Sequence, residues 1–359
     1  MRLAIDASRT TVARATGTER YAVQMIRALV AADSGHVLDL YFRDNPPPDL
    51  FPAAPGVTQH VIPFPRAWTH IRLAWALAQQ RPDLVWVPAH ALPFVFPGRA
   101  AVTVHDLGYQ YFPDAHPARQ RRYLDLTTRT SAARAAIILA DSRATADDLT
   151  RCYGVPPRKL RVVYPGVDAP PIGDIEAVRG KYSLPERYFL FLGTLQPRKN
   201  IARLTAAYRQ WRHAHPDDPA ALVLAGGHGW LFDPDWIDGD GIIAPGYIDD
   251  ADKGALYAGA LACVFPSLYE GFGFPVLEAM LCGTPVIASN TSSLPELTGG
   301  AALSVDPLSV EAIAEAMGQL AADDGLRTAL IAAGRTQAAG FTWTRAAGEA
   351  LDAFDEAIR

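Results

Sequence analysis

Two basic residues, Arg198 and Lys199, sit near the end of the segment GTLQPRKN at 193–200, just before a helix-like stretch over 201–211. A helix start already favours anions through its free N–H groups and its dipole. Two cations there oppose the dipole, and the arrangement makes sense when a di-anion is bound between them. The plainer alternative is a pair of exposed basic residues near a helix start. A second segment, PSLYEGFGFPVLE at 266–278, carries Glu270 in a loop with Gly271 and Gly273, whose backbones can approach a ligand closely. Pro275 suits a first helical position, where its missing N–H costs nothing, and Glu278 follows early in that helix. Two carboxylates so placed can each accept sugar hydroxyls, one on a hexose and one on a ribose, although a carboxylate near a helix start is often only dipole-stabilising. Two further clusters follow apolar runs: His105-Asp106 after AVTV at 101–104, and Gly17-Thr-Glu-Arg20 after the first strand-like segment.

These clusters need a frame that brings strand ends together. Strand-like and helix-like segments alternate along the chain, the pattern of parallel α/β architecture. Strands are expected over 3–6, 37–42, 84–87, 101–104 and 136–139. A helix is expected from about 18 to 32, where Ala22, Met25, Ile26, Leu29 and Val30 repeat at helical spacing. The stretch 163–171, VYPGVDAPP, reads as an interdomain linker because of its prolines and glycine. A second series of strands is then expected over 188–192, 222–225, 242–244, 262–265, 285–288 and 302–305. Two consecutive series give two Rossmann-like, doubly wound parallel-sheet domains, with boundaries at 1–168 and 169–340. In such sheets ligands bind beyond the carboxyl ends of the strands, where the four clusters lie.

The chain has 359 residues, more than one core usually serves, with 49% hydrophobic and 20% charged residues, as expected for folded globular domains. No run approaches the roughly 20 apolar residues of a membrane span, and the start MRLAIDASRT lacks the pattern of a secretory signal. A cytoplasmic location is the expectation. Cys152, Cys263 and Cys282 form no CxxC pair and read as free thiols. Residues 1–168 hold 20 Lys and Arg against 14 Asp and Glu, a balance of +6; the remainder holds 13 against 24, a balance of −11. The basic half is thus suited to anionic surfaces or acceptors, with Arg119, Arg121, Arg122 and Arg129 concentrated on one expected helix. Asp238-Gly-Asp240 reads as a surface turn, and His213 with His215 is too thin a set for a metal site.

Glu270-x7-Glu278 within EGFGFPVLEAMLCGTPVIAS resembles the retaining GT-B glycosyltransferases of family four (group 1 glycosyltransferases). So do GTLQPRKN, ALVLAGG, GYIDDADKGALYAGA and the Phe341-Thr-Trp343 that precedes a last helix. The resemblance covers nearly the whole chain and is densest over 188–300. It implies a GT-B architecture, two domains facing a central cleft, with residues 341–359 crossing back to the N-terminal domain. The first domain would bind the acceptor and the second the sugar nucleotide. Arg198 and Lys199 would hold the donor diphosphate, Glu270 the transferred sugar and Glu278 the ribose. Backbone around Phe272, Gly273 and Phe274 would approach sugar and phosphates, with Gly193 also among the donor-binding residues. Gly226, Gly227, Tyr247 and Ile248 would border the base. His105 matches a histidine near the transferred sugar, Asp106 is a candidate acceptor or sugar contact, and Gly17 matches a glycine loop over the diphosphate. That loop departs from the family pattern, with Ala15-Thr16-Gly17 in place of a double glycine.

The expected reaction is transfer of a hexose from a nucleotide diphosphate to an acceptor hydroxyl with retention, the leaving phosphate itself taking the acceptor's proton. No metal is expected to be required, because Arg198, Lys199 and two helix starts already meet the charge of the diphosphate. IDASRT…GTERYA resembles bacterial mannosyl- and rhamnosyltransferases of surface-polysaccharide assembly. GDP-mannose is therefore the first choice of donor and a UDP-sugar the next. The expected partners are that nucleotide sugar and a carbohydrate or lipid-linked acceptor. The basic N-terminal domain offers a peripheral contact at the inner membrane face, and no nucleic acid is expected. A sugar-nucleotide epimerase of similar fold and a catalytically silent sugar-nucleotide-binding module are the competing readings.

Overall fold

The computed structural model describes residues 1–12, 17–89, 91–115 and 117–359. It divides into two compact units. The first comprises Met1–Tyr111, Pro117–Gly166 and Phe341–Arg359; the second comprises Val167–Gly340 and a short stretch beginning at Phe112.

The first unit is built on seven parallel strands: β1 (Arg2–Asp6), β2 (Val37–Phe42), β3 (Val57–Val61), β4 (Leu84–Val87), β5 (Arg99–Val104), β6 (Ile137–Ala140) and β7 (Leu160–Val162), in the order β3-β2-β1-β4-β5-β6-β7. Successive side chains of a strand point to opposite faces, and here both faces are buried. Leu3, Ile5, Leu40 and Trp86 pack with the helices Gly17–Ala31 and Trp343–Ile358, while Ala4, Val85, Val87 and Val102 pack on the other side with Leu77, Ala132 and Leu149. The helix Trp343–Ile358 fits closely because Ala346, Ala347, Ala350, Ala353 and Ala357 recur at helical spacing along its buried face.

The second unit has six parallel strands: β8 (Tyr188–Leu192), β9 (Ala221–Ala225), β10 (Ile242–Gly246), β11 (Ala262–Phe265), β12 (Val286–Ser289) and β13 (Leu303–Val305), in the order β10-β9-β8-β11-β12-β13. In both sheets the order of the strands therefore reverses once, between β1 and β4 and between β8 and β11. The expectation of doubly wound parallel sheets holds.

Two strands escaped the sequence reading. Val57–Val61 lies at the edge of its sheet, with Thr58, Gln59 and Val61 exposed, so its sequence VTQHV lacks a buried strand's apolar run. Leu160–Val162 is a three-residue edge strand directly after a prolyl turn. The first helix runs Gly17–Ala31, one residue earlier than expected at each end.

Candidate active site

The order reversal between β8 and β11 leaves a crevice at the carboxyl ends of these neighbours, because their following segments depart to opposite sides. GTLQPRKN leaves β8 and PSLYEGF leaves β11, so both clusters meet there. Pro197–Lys199 forms one 3-10 turn and Asn200 adopts a left-handed conformation before the helix Ile201–Ala214. Arg198 Nη1 donates to the Tyr269 carbonyl at 2.8 Å and to Glu270 Oε2 at 3.0 Å, while Lys199 Nζ donates to Glu270 Oε1 at 2.6 Å. Lys199 is 8% exposed and Glu270 7%, and the ammonium lies 4.7 Å from the Phe265 ring centroid. Burial works to raise the Glu270 pKa, but the charges of Arg198 and Lys199 outweigh it and hold the carboxyl below its usual range. Two cations thus share one carboxylate, and the three groups carry a net charge of +1.

The loop is fastened from behind. Ser292 Oγ accepts from the Glu270 N–H at 2.7 Å, and Ser293 Oγ donates to the carbonyls of Glu270 and Phe272. Asn200 Nδ2 donates to the carbonyls of Pro266 (3.0 Å) and Pro307 (2.6 Å). Gly273, at φ 141°, leads into the helix Phe274–Leu281, and an added Cβ would lie 2.8 Å from Leu294. Gly226 follows β9 at φ 140°, and its Cβ would come within 2.0 Å of the Gly193 carbonyl oxygen, so no side chain fits. The Gly193 N–H donates to the Ala225 carbonyl and the Leu195 N–H to the Gly227 carbonyl, joining the ends of β8 and β9, while the Gly226 N–H donates to Gly246 of β10. Tyr247, just past β10, is 69% exposed beside them, whereas the Ile248 side chain is buried.

Glu278 lies in the helix Phe274–Leu281 and accepts a 3.0 Å hydrogen bond from the buried Tyr257 hydroxyl. Burial, with the Glu278 charge added, pushes the Cys263 thiol up to about 12 and the Cys282 thiol up to about 11. Both thiols are therefore protonated at neutral pH. Phe272 is buried and meets Phe274 edge to face, with ring centroids 5.0 Å apart.

In the first unit, Val104 of β5 pairs with Ala140 of β6, which sets the next residues, His105 and Asp141, side by side. His105 Nδ1 lies 2.7 Å from Asp141 Oδ2, and Nε2 lies 2.7 Å from the Pro88 carbonyl. Both ring nitrogens are engaged, Nε2 by the Pro88 carbonyl and Nδ1 by a proton shared with Asp141, whose own carboxyl burial pushes up. Burial pulls the His105 pKa down, but Asp141 and the Pro88 carbonyl outweigh it and raise it above its ordinary value. The Tyr21 ring abuts the imidazole edge to face at 4.8 Å. Removal of the Asp141 charge leaves burial opposed mainly by a neutral carbonyl. Asp141→Asn is therefore expected to lower the His105 titration midpoint, read from its ring-proton shifts against pH; an unchanged midpoint would contradict the pairing.

Asp106 Oδ1 accepts from the Gly108 N–H at 2.8 Å and so caps the turn Gly108–Tyr111. Gly17 opens the helix Gly17–Ala31; Ala15 and Thr16 lie outside the described residues. Asp238 and Asp240 are exposed in the turn before β10, and His215 stacks on Trp211. Sequence reasoning missed Asp141, Asn200, Ser292 and Ser293. Their signal is positional: each stands just beyond a strand or in a turn beside the clusters already singled out.

Doubly wound parallel sheets, one with a cation–carboxylate cluster at its switch point, define the class of α/β proteins whose ligands sit at the carboxyl ends of the strands. Comparison with known proteins narrows the class. The family described as "Glycosyl transferases group 1" matches residues 174–337, and "Glycosyltransferase Family 4" matches residues 15–169. The O-antigen chain mannosyltransferase B of Escherichia coli is 35% identical over 298 residues, which span 79% of this chain and 77% of that one. Among solved structures, a sucrose-phosphate synthase from Thermosynechococcus elongatus matches with a TM-score of 0.73 at 23% identity, covering 99% of this chain and 98% of that chain. An Anabaena protein solved in complex with UDP and glucose matches with a TM-score of 0.72 at 16% identity, covering 98% and 99%. The chain belongs to the GT-B glycosyltransferases of family four, and it is a glycosyltransferase.

Proposed function

We propose that the chain transfers mannose from GDP-mannose to an acceptor hydroxyl during surface-polysaccharide assembly, with retention of the anomeric configuration and without a required metal. The observation that carries this reading is the convergence of Arg198 and Lys199 on Glu270 at the β8/β11 crevice. The guanidinium can hold a phosphate bidentately and the ammonium adds a compact charge, so both act on the charge that develops as the diphosphate departs. Glu270 keeps the two cations in place and offers its remaining lone pairs to the transferred sugar. Glu278 serves the ribose, and the Gly226–Gly227 turn with Tyr247 and the Ile248 backbone serves the base. The turn at Gly273 closes on the phosphates. His105, its two ring nitrogens already engaged by Asp141 and the Pro88 carbonyl, takes its place near the transferred sugar as a held ring and not as a proton donor or acceptor. The departing phosphate oxygen takes the acceptor's proton. In this reading the first unit binds the carbohydrate or lipid-linked acceptor and the second the donor. The choice of mannose rests on the name of the Escherichia coli relative. The Anabaena protein's UDP makes a UDP-sugar the next choice.

The test is incubation with GDP-mannose and a mannose-terminated acceptor in EDTA, with the product's anomeric configuration read by NMR. The expected product keeps the donor's α configuration. A β product would refute retention. Epimerised donor in the absence of acceptor would identify an epimerase, and bound donor without turnover a silent binding module.

A further inference from the structure

The chain leaves the first unit after Gly166 and re-enters it at Phe341, and within that unit the ends of the two passages are packed into one seam. A Cβ added to Gly166 would lie 2.2 Å from the Trp343 nitrogen and 2.5 Å from its Cγ, so no side chain fits between the outgoing backbone and the returning residue. The Tyr164 and Phe341 rings meet edge to face, with centroids 5.7 Å apart and planes at 82°. Trp343 opens the last helix, Trp343–Ile358, whose start is fixed by the Thr342 side chain accepting from the Arg345 N–H at 3.2 Å. Ala346, Ala347 and Ala350 follow it into the core with no exposed surface, so the position of Trp343 is set by the whole helix.

Two rings lead from this seam to His105. The Trp343 indole meets the Tyr21 ring with centroids 6.0 Å apart and planes at 61°, and the Tyr21 ring meets the imidazole at 4.8 Å and 77°. Tyr21 is 1% exposed, so it has no free volume into which to turn. Its hydroxyl lies 3.4 Å from Thr103 Oγ1, which also accepts from the buried Trp86 Nε1 at 3.1 Å. Thr103 belongs to β5, the strand that delivers His105. Asp141 and the Pro88 carbonyl fix the two nitrogens of the imidazole, but a ring held at two points can still rock about the line joining them. A third contact, made by packing, removes that freedom.

We infer that Tyr21 and Trp343 are positioning residues for His105, setting the tilt of the imidazole from the seam where the chain leaves and re-enters the first unit. Trp343 acts through Tyr21, and Tyr21 through its contact with the ring; neither is assigned a contact with the reacting atoms. What each position must supply is an aromatic ring, because the contacts in the series are made by ring faces and edges. The inference rests on the proposed place of His105 near the transferred sugar only for its effect on turnover. Displacements of about 1 Å at a reacting centre can cost about 10²-fold in rate, so a ring allowed to rock is expected to lower kcat without abolishing it.

The test is a double-mutant cycle in the full chain, read by steady-state kinetics and by the NMR signals of the His105 ring protons, at a temperature where melting curves show every variant folded. Tyr21→Leu and Trp343→Leu are each expected to lower kcat by about tenfold with little change in donor KM, and Tyr21→Phe and Trp343→Phe to restore most of the rate. The double Leu variant should be no slower than Tyr21→Leu alone, since Trp343 has no other route to the imidazole. Phe51→Leu removes a ring of the same core that packs on Phe42 instead, and is expected to lower the melting temperature but not kcat. The His105 signals should move in Trp343→Leu, return in Trp343→Phe, and be indifferent to residue 343 once Tyr21 is Leu. Independent, multiplying losses in the double variant, or a loss of kcat in Phe51→Leu equal to that in Tyr21→Leu, would overturn the inference. His105→Ala separates it from the transfer reading: wild-type kcat in that variant removes His105 from the sugar site, and the NMR signals then decide the positioning claim, unchanged His105 signals in Trp343→Leu refuting it.

Discussion

Lys199→Ala and Arg198→Ala are each expected to lower turnover by about 10²–10³-fold, the usual cost of losing a preorganised donor at a developing negative charge. Each side chain arrives already oriented, Lys199 by its 2.6 Å bond to Glu270 and Arg198 by bonds to Glu270 and the Tyr269 carbonyl. No reorganisation is then needed as phosphate charge builds, so the loss falls on kcat more than on KM. Lys199→Arg keeps the charge but not the compact ammonium beside Phe265, and is expected to restore only part of the rate. Steady-state kinetics with saturating donor give the comparison; near wild-type kcat in both alanine variants would remove the diphosphate from this cluster.

Glu270→Gln is expected to destabilise the protein by about 3 kcal/mol at pH 7, because it leaves two largely buried cations facing a neutral amide. The effect depends on pH with a defined sign. The folded pKa of Glu270 is depressed, so its ionised form adds stability above the ordinary carboxylate range of about 4.3 and loses it as pH falls through the folded value. The gap between wild type and variant should be full at pH 7 and shrink in acid. Denaturant unfolding at a series of pH values measures it, and a gap that does not change with pH would show that the carboxylate is not the counter-ion of Arg198 and Lys199.

The parts legible in the sequence were those where one residue type has one physical use. Apolar runs bounded by polar residues located β1, β8 and β11, and Gly271, Gly273 and Pro275 marked a strand-to-helix turn before any contact was known. Glu270 and Lys199 are 71 positions apart in the sequence, and their meeting depends on β8 and β11 being neighbours. Periodicity finds strands but not their order. The pairing of His105 with Asp141 was hidden for the same reason, since it follows from the Val104–Ala140 register. His105-Asp106 looked like the natural pair, yet Asp106 turns to cap Gly108 and the carboxylate comes from the neighbouring strand.

The most direct test of the central claim is thermal melting of the wild type and Lys199→Ala with GDP, UDP, ADP and dTDP, each with and without magnesium. A ligand at 100 times its Kd stabilises by about 2.7 kcal/mol, a shift of several degrees. One nucleotide, GDP first, is expected to produce this shift in the wild type without magnesium, and Lys199→Ala to lose most of it. Equal shifts in both proteins, or none in the wild type with any nucleotide, would contradict it.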